Sequence, residues 1–249
     1  MRTVEEERAT AYAAAAGEDV KRKYVQQMFS DIAPAYDRVN RIISFRIDLW
    51  WRKLALAALD INRDLGGRYL DLCAGTMDLS SQIQKVPGFH GHVVAADFTE
   101  AMLRAGEGKV SRSSVAPVTA DALALPFRAD SMVGGIVVFG IRNVIDLDGG
   151  LREAYRVLQP GGRFVILEFT TPRSRFVRTV YGFYFNHILP KIGNAVVKHN
   201  TAYNYLPKSV SYFPDAPELA RRMEGAGFRN VSWKALTFGV VAIHIGEKH

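Results

Sequence analysis

Gly75 and Asp97 are the residues of this sequence whose types and spacing most plainly suggest chemistry. Gly75 sits in Asp71-Leu72-Cys73-Ala74-Gly75-Thr76-Met77-Asp78, after the apolar Tyr69 and Leu70 and before Leu79, Ile83 and Val86 at helical spacing. The pattern predicts strand, tight turn and helix, with backbone N–H groups and the positive end of a helix dipole at the carboxyl edge of a parallel sheet. His92-Val93-Val94-Ala95-Ala96 makes a second apolar strand, ended by Asp97 about 20 residues past Gly75. There the two oxygens of a carboxylate match the vicinal hydroxyls of a ribose. The turn alone would also suit an ordinary strand-to-helix connection; the acid after the second strand is what points to an adenosine-type ligand. A dinucleotide site would carry G-x-G-x-x-G, whereas this chain has a single glycine between two acids, which favours S-adenosylmethionine over NAD.

Further candidates follow on the same edge. Val115 to Thr119 reads as a third strand, after which Asp121, followed by Ala122, either accepts from an adenine amino group or caps a turn. Met132 to Phe139 is a central, almost wholly apolar strand. It runs into Gly140-Ile141-Arg142-Asn143-Val144, and an arginine and an asparagine at that edge are costly to bury unless they bind something. Substrate contact is one reading; the other is a structural Arg142 holding Asp146 or a backbone carbonyl. Asp148 is expected to cap the next helix, and Pro160-Gly161-Gly162 to turn into a fifth strand from Arg163 to Phe169.

These elements imply an α/β fold with a doubly wound, mostly parallel sheet. With 249 residues and 48% apolar content the chain supports one well-buried core, and no linker divides it. Residues 1–23, rich in Ala and charge, read as a tail ahead of a domain over 24–249. The net charge of +7 suits anionic lipid or nucleic acid and is also common in soluble enzymes. A single cysteine excludes an internal disulfide and six scattered histidines show no metal-site spacing, so a reducing compartment and no metal are expected. No apolar run approaches the roughly 18 residues of a membrane span, and Glu5-Glu6-Glu7 is wrong for a signal peptide. The expected location is cytoplasmic.

Two aromatic-rich stretches flank the sheet. Tyr24 to Ile32 is an amphipathic helix, followed by Tyr36-Asp37-Arg38-Val39-Asn40 and Trp50-Trp51, which read as a lid or pocket wall or as surface helices packed on the core. From Pro172 to His199, Arg173, Arg175 and Arg178 interleave with Phe176, Tyr181, Phe183, Tyr184, Phe185, Ile188 and Leu189. This segment suits a lipid-pocket wall, a membrane-surface contact or a crossover helix. Ala216 to Gly227 then makes a helix, and Val231 to Trp233 and Phe238 to Ile245 two more strands.

From about Tyr24 to its end the chain resembles the menaquinone and ubiquinone biosynthesis C-methyltransferases. The resemblance rests on Phe139-Gly140-Ile141-Arg142-Asn143-Val144, Arg156 to Gly162, Leu167-Glu168-Phe169-Thr170-Thr171-Pro172 and Tyr203-Asn204-Tyr205-Leu206. Tyr36-Asp37, Asn40, Ser44-Phe45, Trp51, His187 and Gly239 to His244 add to it. It implies a seven-stranded class I methyltransferase sheet with an N-terminal helical extension. It also implies transfer of a methyl from S-adenosylmethionine to the ring carbon of a polyprenylated hydroquinone. Cofactor positions carry over to Gly75, Thr76, Asp97, Asp121 and Ala122. Arg142 and Asn143 would handle the phenolate, with His187, Tyr203 or Asp48 as proton acceptor. Implied partners are the quinol and the surface of an anionic membrane, not nucleic acid, with a homo-oligomer left open. The sequence departs from the family where Met77 and Arg46 stand for glycines, Asp48 for a histidine and Val138 for a serine. Met77 is expected to start its helix at ordinary negative φ, its side chain packed beneath the sheet. Two other readings stay open: methylation of a small soluble phenol or amine, and a non-catalytic partner protein on the same fold.

Overall fold

A computed structural model describes residues 20–184, 187 and 202–249. Its sheet is seven-stranded, in the order β3-β2-β1-β4-β5-β7-β6. The strands are β1 (Arg68–Leu72), β2 (His92–Asp97), β3 (Val115–Thr119), β4 (Met132–Val138), β5 (Leu158–Phe169), β6 (Arg229–Leu236) and β7 (Val241–Glu247). All pairs are parallel except those of β7, which runs against both β5 and β6. Apolar residues fill both faces because each parallel strand is covered twice. Tyr69, Ile136, Val138, Val165 and Leu167 enter one core, and Leu70, Leu72, Val137, Phe164 and Ile166 the other.

Around the sheet run α1 (Val20–Ile32), α2 (Tyr36–Ile43), α3 (Ile47–Leu59), α4 (Asp78–Ile83), α5 (Glu100–Gly106), α6 (Leu147–Val157), α7 (Arg175–Phe183), α8 (Ala202–Tyr212) and α9 (Ala216–Gly225). Strand order reverses between β1 and β4, so their carboxyl ends open the crevice where such sheets bind ligands. α1, α2 and α8 pack together above that edge around Val25, Met28, Ile32, Val39 and Tyr205.

Several boundaries differ from expectation. The break expected after residue 23 falls inside α1, whose Arg22 reaches the domain. The cap of α6 is Asp146, which accepts from Gly149 N, and not Asp148, which pairs with Arg222 in the first turn. β5 begins at Leu158, and Pro160 and Gly161, with φ +79°, lie in a register shift opposite Met132–Gly134 rather than in a free turn. Phe238, expected in a strand, lies in a turn between β6 and β7. The segment 172–199 is described as α7 in its first part; Phe185, Ile188 and Leu189 lie outside the described residues.

Candidate active site

The crevice is floored by the turn after β1. Cys73, Gly75 and Met77 all take left-handed backbone, with φ +55°, +55° and +57°. The turn is tied to the neighbouring strand by Ala74 N to Ala96 O (3.0 Å) and by Gly75 N to Asp97 Oδ2 (2.8 Å). Asp97 Oδ1 accepts from Thr99 N at 2.8 Å, so each carboxylate oxygen holds one backbone donor. Desolvation, opposed by those hydrogen bonds, pushes the Asp97 carboxyl up to about 6. Below it Asp71, also raised to about 6 by burial, accepts from Ser80 N (3.0 Å) and Oγ (2.6 Å) and so locks α4 onto β1. The second loop at the switch point touches the first: a Cβ on Gly140 would lie 2.3 Å from that of Cys73, so only glycine fits there. The Cys73 thiol is pushed well up by desolvation and then by nearby carboxylates, so it stays a neutral wall group.

Met77 departs from expectation in its backbone. It is the N-cap of α4 with φ +57°, ψ +28°, a conformation costing about 1–2 kcal/mol outside glycine. Its side chain is nevertheless completely buried, in the core with Leu79 and Ile83, so packing retains a strained turn. Arg46, the other position where the resembling family has glycine, likewise takes φ +64° ahead of α3.

Two cavities open on this edge. The first, about 870 Å³ with its mouth, is lined by Gly75, Asp97, Phe98, Asp121, Ala122 and Asn143 among others. Arg22 of α1 closes over it, 2.6 Å from Asp121 Oδ2 and stacked 4.9 Å from the centre of the Phe98 ring. Asp121 also accepts from Leu123 N at 3.0 Å, so it caps a turn while lining the cavity. Thr76 is not among the lining residues. Its hydroxyl donates to Asp37 Oδ1 at 2.6 Å and accepts from Lys109 Nζ at 2.9 Å.

The second cavity, about 1250 Å³, is aromatic and larger. Trp51 meets Phe139 and Phe169 edge-on at 5.9 and 6.4 Å and donates from Nε1 to Thr237 Oγ1 at 2.8 Å. Tyr181, Tyr184 and Tyr205 line another side, and Asp48, Arg52 and Arg142 supply its charge. Arg142 is buried, donating from Nη1 to Phe139 O (2.6 Å) and Glu168 Oε1 (2.8 Å). Burial pulls the guanidinium down, but Glu168 and two tyrosines outweigh it, and Arg142 stays cationic. The structural partner weighed for it is therefore Glu168 together with a backbone carbonyl, not Asp146. Asp48 accepts from Ser44 Oγ at 2.7 Å and is bound by Arg41 and approached by Arg52. Arg41 and Lys109 also hold Asp78, linking this cavity to the turn through alternating charges.

The cavities share Phe29, Tyr36 and Phe139. Asn143 lines the first and Arg142 the second, although they are adjacent in a short 3₁₀ turn, Ile141–Asn143. Tyr205 Oη donates to Asn143 Oδ1 at 3.1 Å, tying α8 to that turn. Desolvation raises the phenol of Tyr36 against the pull of Arg52 and Arg142, leaving a neutral donor in the dividing wall. Sequence reasoning grouped Tyr36 with lid residues; its place in the wall depends on α2 crossing the sheet edge. His187 is exposed, packs 5.0 Å from the Phe183 ring and lines neither cavity. The Tyr203 side chain lies outside the described residues.

Seven strands in this order, with one antiparallel member and a glycine turn and acid at the switch point, define a class I methyltransferase. Solved structures agree on the fold. A methyltransferase of Thermotoga maritima, described as a possible histamine N-methyltransferase, superposes with a TM-score of 0.62 at 18% identity, over 90% of this chain and 99% of the other. Human N-acetylserotonin methyltransferase, in complex with S-adenosylmethionine, gives 0.55 at 15% identity over 86% and 57%. The chain belongs to the ubiE/COQ5 methyltransferase family, whose model matches residues 17–248. The ubiquinone/menaquinone biosynthesis C-methyltransferase of Geobacter sulfurreducens is 43% identical over 92% of this chain and 90% of its own length. That of Pectobacterium carotovorum is 38% identical over 92% of each. The protein is thus an S-adenosylmethionine-dependent C-methyltransferase of the menaquinone/ubiquinone pathway.

Proposed function

We propose that the second cavity holds the ring of a polyprenylated hydroquinone, demethylmenaquinol or its ubiquinone-pathway counterpart, and that the first holds the methyl donor. The observation that carries this is the shared wall of Phe29, Tyr36 and Phe139 between a cleft that holds Asp97, Asp121 and Asn143 and a larger aromatic cavity. The first cavity suits S-adenosylmethionine because the half-buried Asp97 retains acceptor capacity for ribose hydroxyls and Gly75 has no side chain to obstruct the turn. Asp121 and Ala122 would flank the base, and Thr76 would support the turn from behind through Asp37 and Lys109. When bound, S-adenosylmethionine supplies an electrophilic methyl group, and in-line transfer needs mainly alignment.

The chain's own residues must then activate a ring carbon, which is a poor nucleophile until a neighbouring hydroxyl loses its proton. Arg142, cationic and desolvated, stabilises the phenolate that results. Asp48 is the carboxylate on the cavity wall among the described residues, and we assign it the proton. Tyr36 orients the ring oxygen as a neutral donor, and Asn143 fixes the wall from the other side through Tyr205. Aromatic walls exclude water and so protect the phenolate. A surface contact with anionic membrane through Arg173, Arg175 and Arg178 would bring the protein to a lipid acceptor.

Quinones extracted from a strain lacking the gene, with and without this chain restored, test the proposal by mass spectrometry. Restoration should convert the demethylated quinone to the methylated one; persistence of the demethylated species would reject the assignment.

A further inference from the structure

Of the non-glycine residues with positive φ, Phe45 and Phe238 are also exposed large hydrophobic residues. Phe45 is 72% exposed with φ +50°, and Phe238 is 86% exposed with φ +56°. Each therefore combines two unfavourable features, an apolar ring in water and a backbone that bulky residues avoid. Both stand at the mouth of the second cavity: Phe45 lines it, and Phe238 lies between the lining residues Thr237 and Val240. A third element joins them. In α7, Phe176 (77% exposed), Val180 and Phe183 fall at i, i+4 and i+7, an apolar stripe turned outward, while Tyr181 and Tyr184 face the cavity. The turn at Phe238 adjoins the start of this segment, since a Cβ on Gly239 would lie 3.4 Å from Pro172 Cα. On the other side the Phe45 ring lies 6.3 Å from that of Tyr184.

Charge selects the occupant. From Phe169 to Pro214 the sequence carries no Asp or Glu, yet has Arg173, Arg175, Arg178, Lys191, Lys198 and Lys208. Arg173, Arg175 and Arg178 are exposed beside the stripe. An outward apolar face bordered by arginines and free of acids matches the interface of an anionic bilayer, not the mixed-charge surface of a soluble partner.

We propose that Phe45, Phe238 and the α7 stripe Phe176, Val180 and Phe183 form a rim that inserts into an anionic membrane and opens the second cavity toward the lipid. The rim would admit the lipid acceptor from within the bilayer, and in this respect the inference rests on the functional reading above. No helix among the described residues is long and apolar enough to cross the membrane, so the attachment is interfacial.

The test uses Phe176→Ser with Phe238→Ser, neither of which lines a cavity. Parent and variant are floated with vesicles of phosphatidylcholine containing phosphatidylglycerol, and turnover is measured with a long-tailed acceptor in those vesicles and a short-tailed acceptor in solution. The parent should float with the vesicles and the variant at least about tenfold less, from the loss of two aromatic anchors. Turnover of the long-tailed acceptor should fall in parallel while the short-tailed one is methylated at the parental rate. Equal flotation, or an equal loss on both acceptors, would overturn the rim. A change in oligomeric mass without a change in flotation would overturn it too, assigning the face to a second copy. If the parent methylates neither acceptor, the functional reading fails, and flotation alone still decides the rim.

Discussion

The cleft proposed for the cofactor and the cavity proposed for the acceptor adjoin at three residues but are built by different means. The floor of the cleft is made of backbone: left-handed φ at Cys73, Gly75 and Met77, and an aspartate each of whose oxygens fixes one N–H. The acceptor cavity is made of side chains, drawn from α1, α2, α3, β5, α7 and α8 and from the turn after β6. A backbone site tolerates a change of side chain, as Met77 shows with its left-handed φ, provided the conformation persists. A side-chain site has no such tolerance, because its shape is its residues. Substitutions should therefore separate the two cavities by what they lose.

The largest effect is expected on the acceptor side. Arg142→Met leaves Glu168 buried without its cation, which should cost about 3–5 kcal/mol of stability and lower turnover by roughly 10²–10³. Adding Glu168→Gln removes the orphaned charge and keeps one oxygen to accept from Phe169 N–H, giving up the longer contact with Arg142 N–H. Urea unfolding should then show most of the stability restored, with turnover still low. If turnover returns with stability, Arg142 serves the fold and not the reaction.

On the cleft side, Met77→Gly relieves about 1–2 kcal/mol of backbone strain but deletes a completely buried side chain, a loss of about 2–5 kcal/mol. Stability should fall while cofactor affinity, read by calorimetric titration, stays within about threefold. Affinity improved tenfold or more would show that the methionine distorts the turn.

How much of this was legible in the sequence follows from the same division. Gly75, Asp97 and Asp121 could be read because one helix-and-strand unit separates each from the next and all three line the same cleft. The backbone of Met77 could not, since residue type argues against φ > 0 and only packing beneath the sheet overrules it. Arg142 and Asn143 were legible as a pair but not as facing different cavities. In a 3₁₀ turn of three residues per turn, adjacent side chains point about 120° apart. The acceptor cavity was least legible: Tyr36, Trp51, Tyr205 and Thr237 meet only through long-range packing, and Trp51 and Thr237 are 186 positions apart. Phe238 followed an apolar pattern continuous with β7, and Gly239, at φ +88° in the turn that exposes it, is the local mark that the pattern overrode.

A smaller effect distinguishes the cleft by pH. Asp97 is raised from 3.8 to about 6 by desolvation, and in the proposed site its ionised form is the one that would accept ribose hydroxyls. Cofactor affinity should be level above pH 7 and weaken, approaching roughly tenfold per unit, as pH falls below about 6. Ligand-free stability has the opposite sign. For a raised carboxyl pKa, the contribution is full below 3.8 and lost as pH rises through about 6. Calorimetric titration from about pH 5 to pH 8, with Asp97→Asn as a weak and pH-independent reference, checks this; a level profile in the parent would remove Asp97 from the ribose site.

If donor and acceptor meet at the wall both cavities share, Tyr36→Ala should separate binding from transfer. Cofactor and a non-reacting quinone would be titrated separately into the variant, and single-turnover methyl transfer measured with both sites filled. Both affinities should stay within about threefold of the parent while transfer slows by roughly 10²-fold, the scale of a misplaced reacting group. Transfer at the parental rate would contradict the shared wall, as would loss of one ligand's binding with normal transfer once that site is saturated.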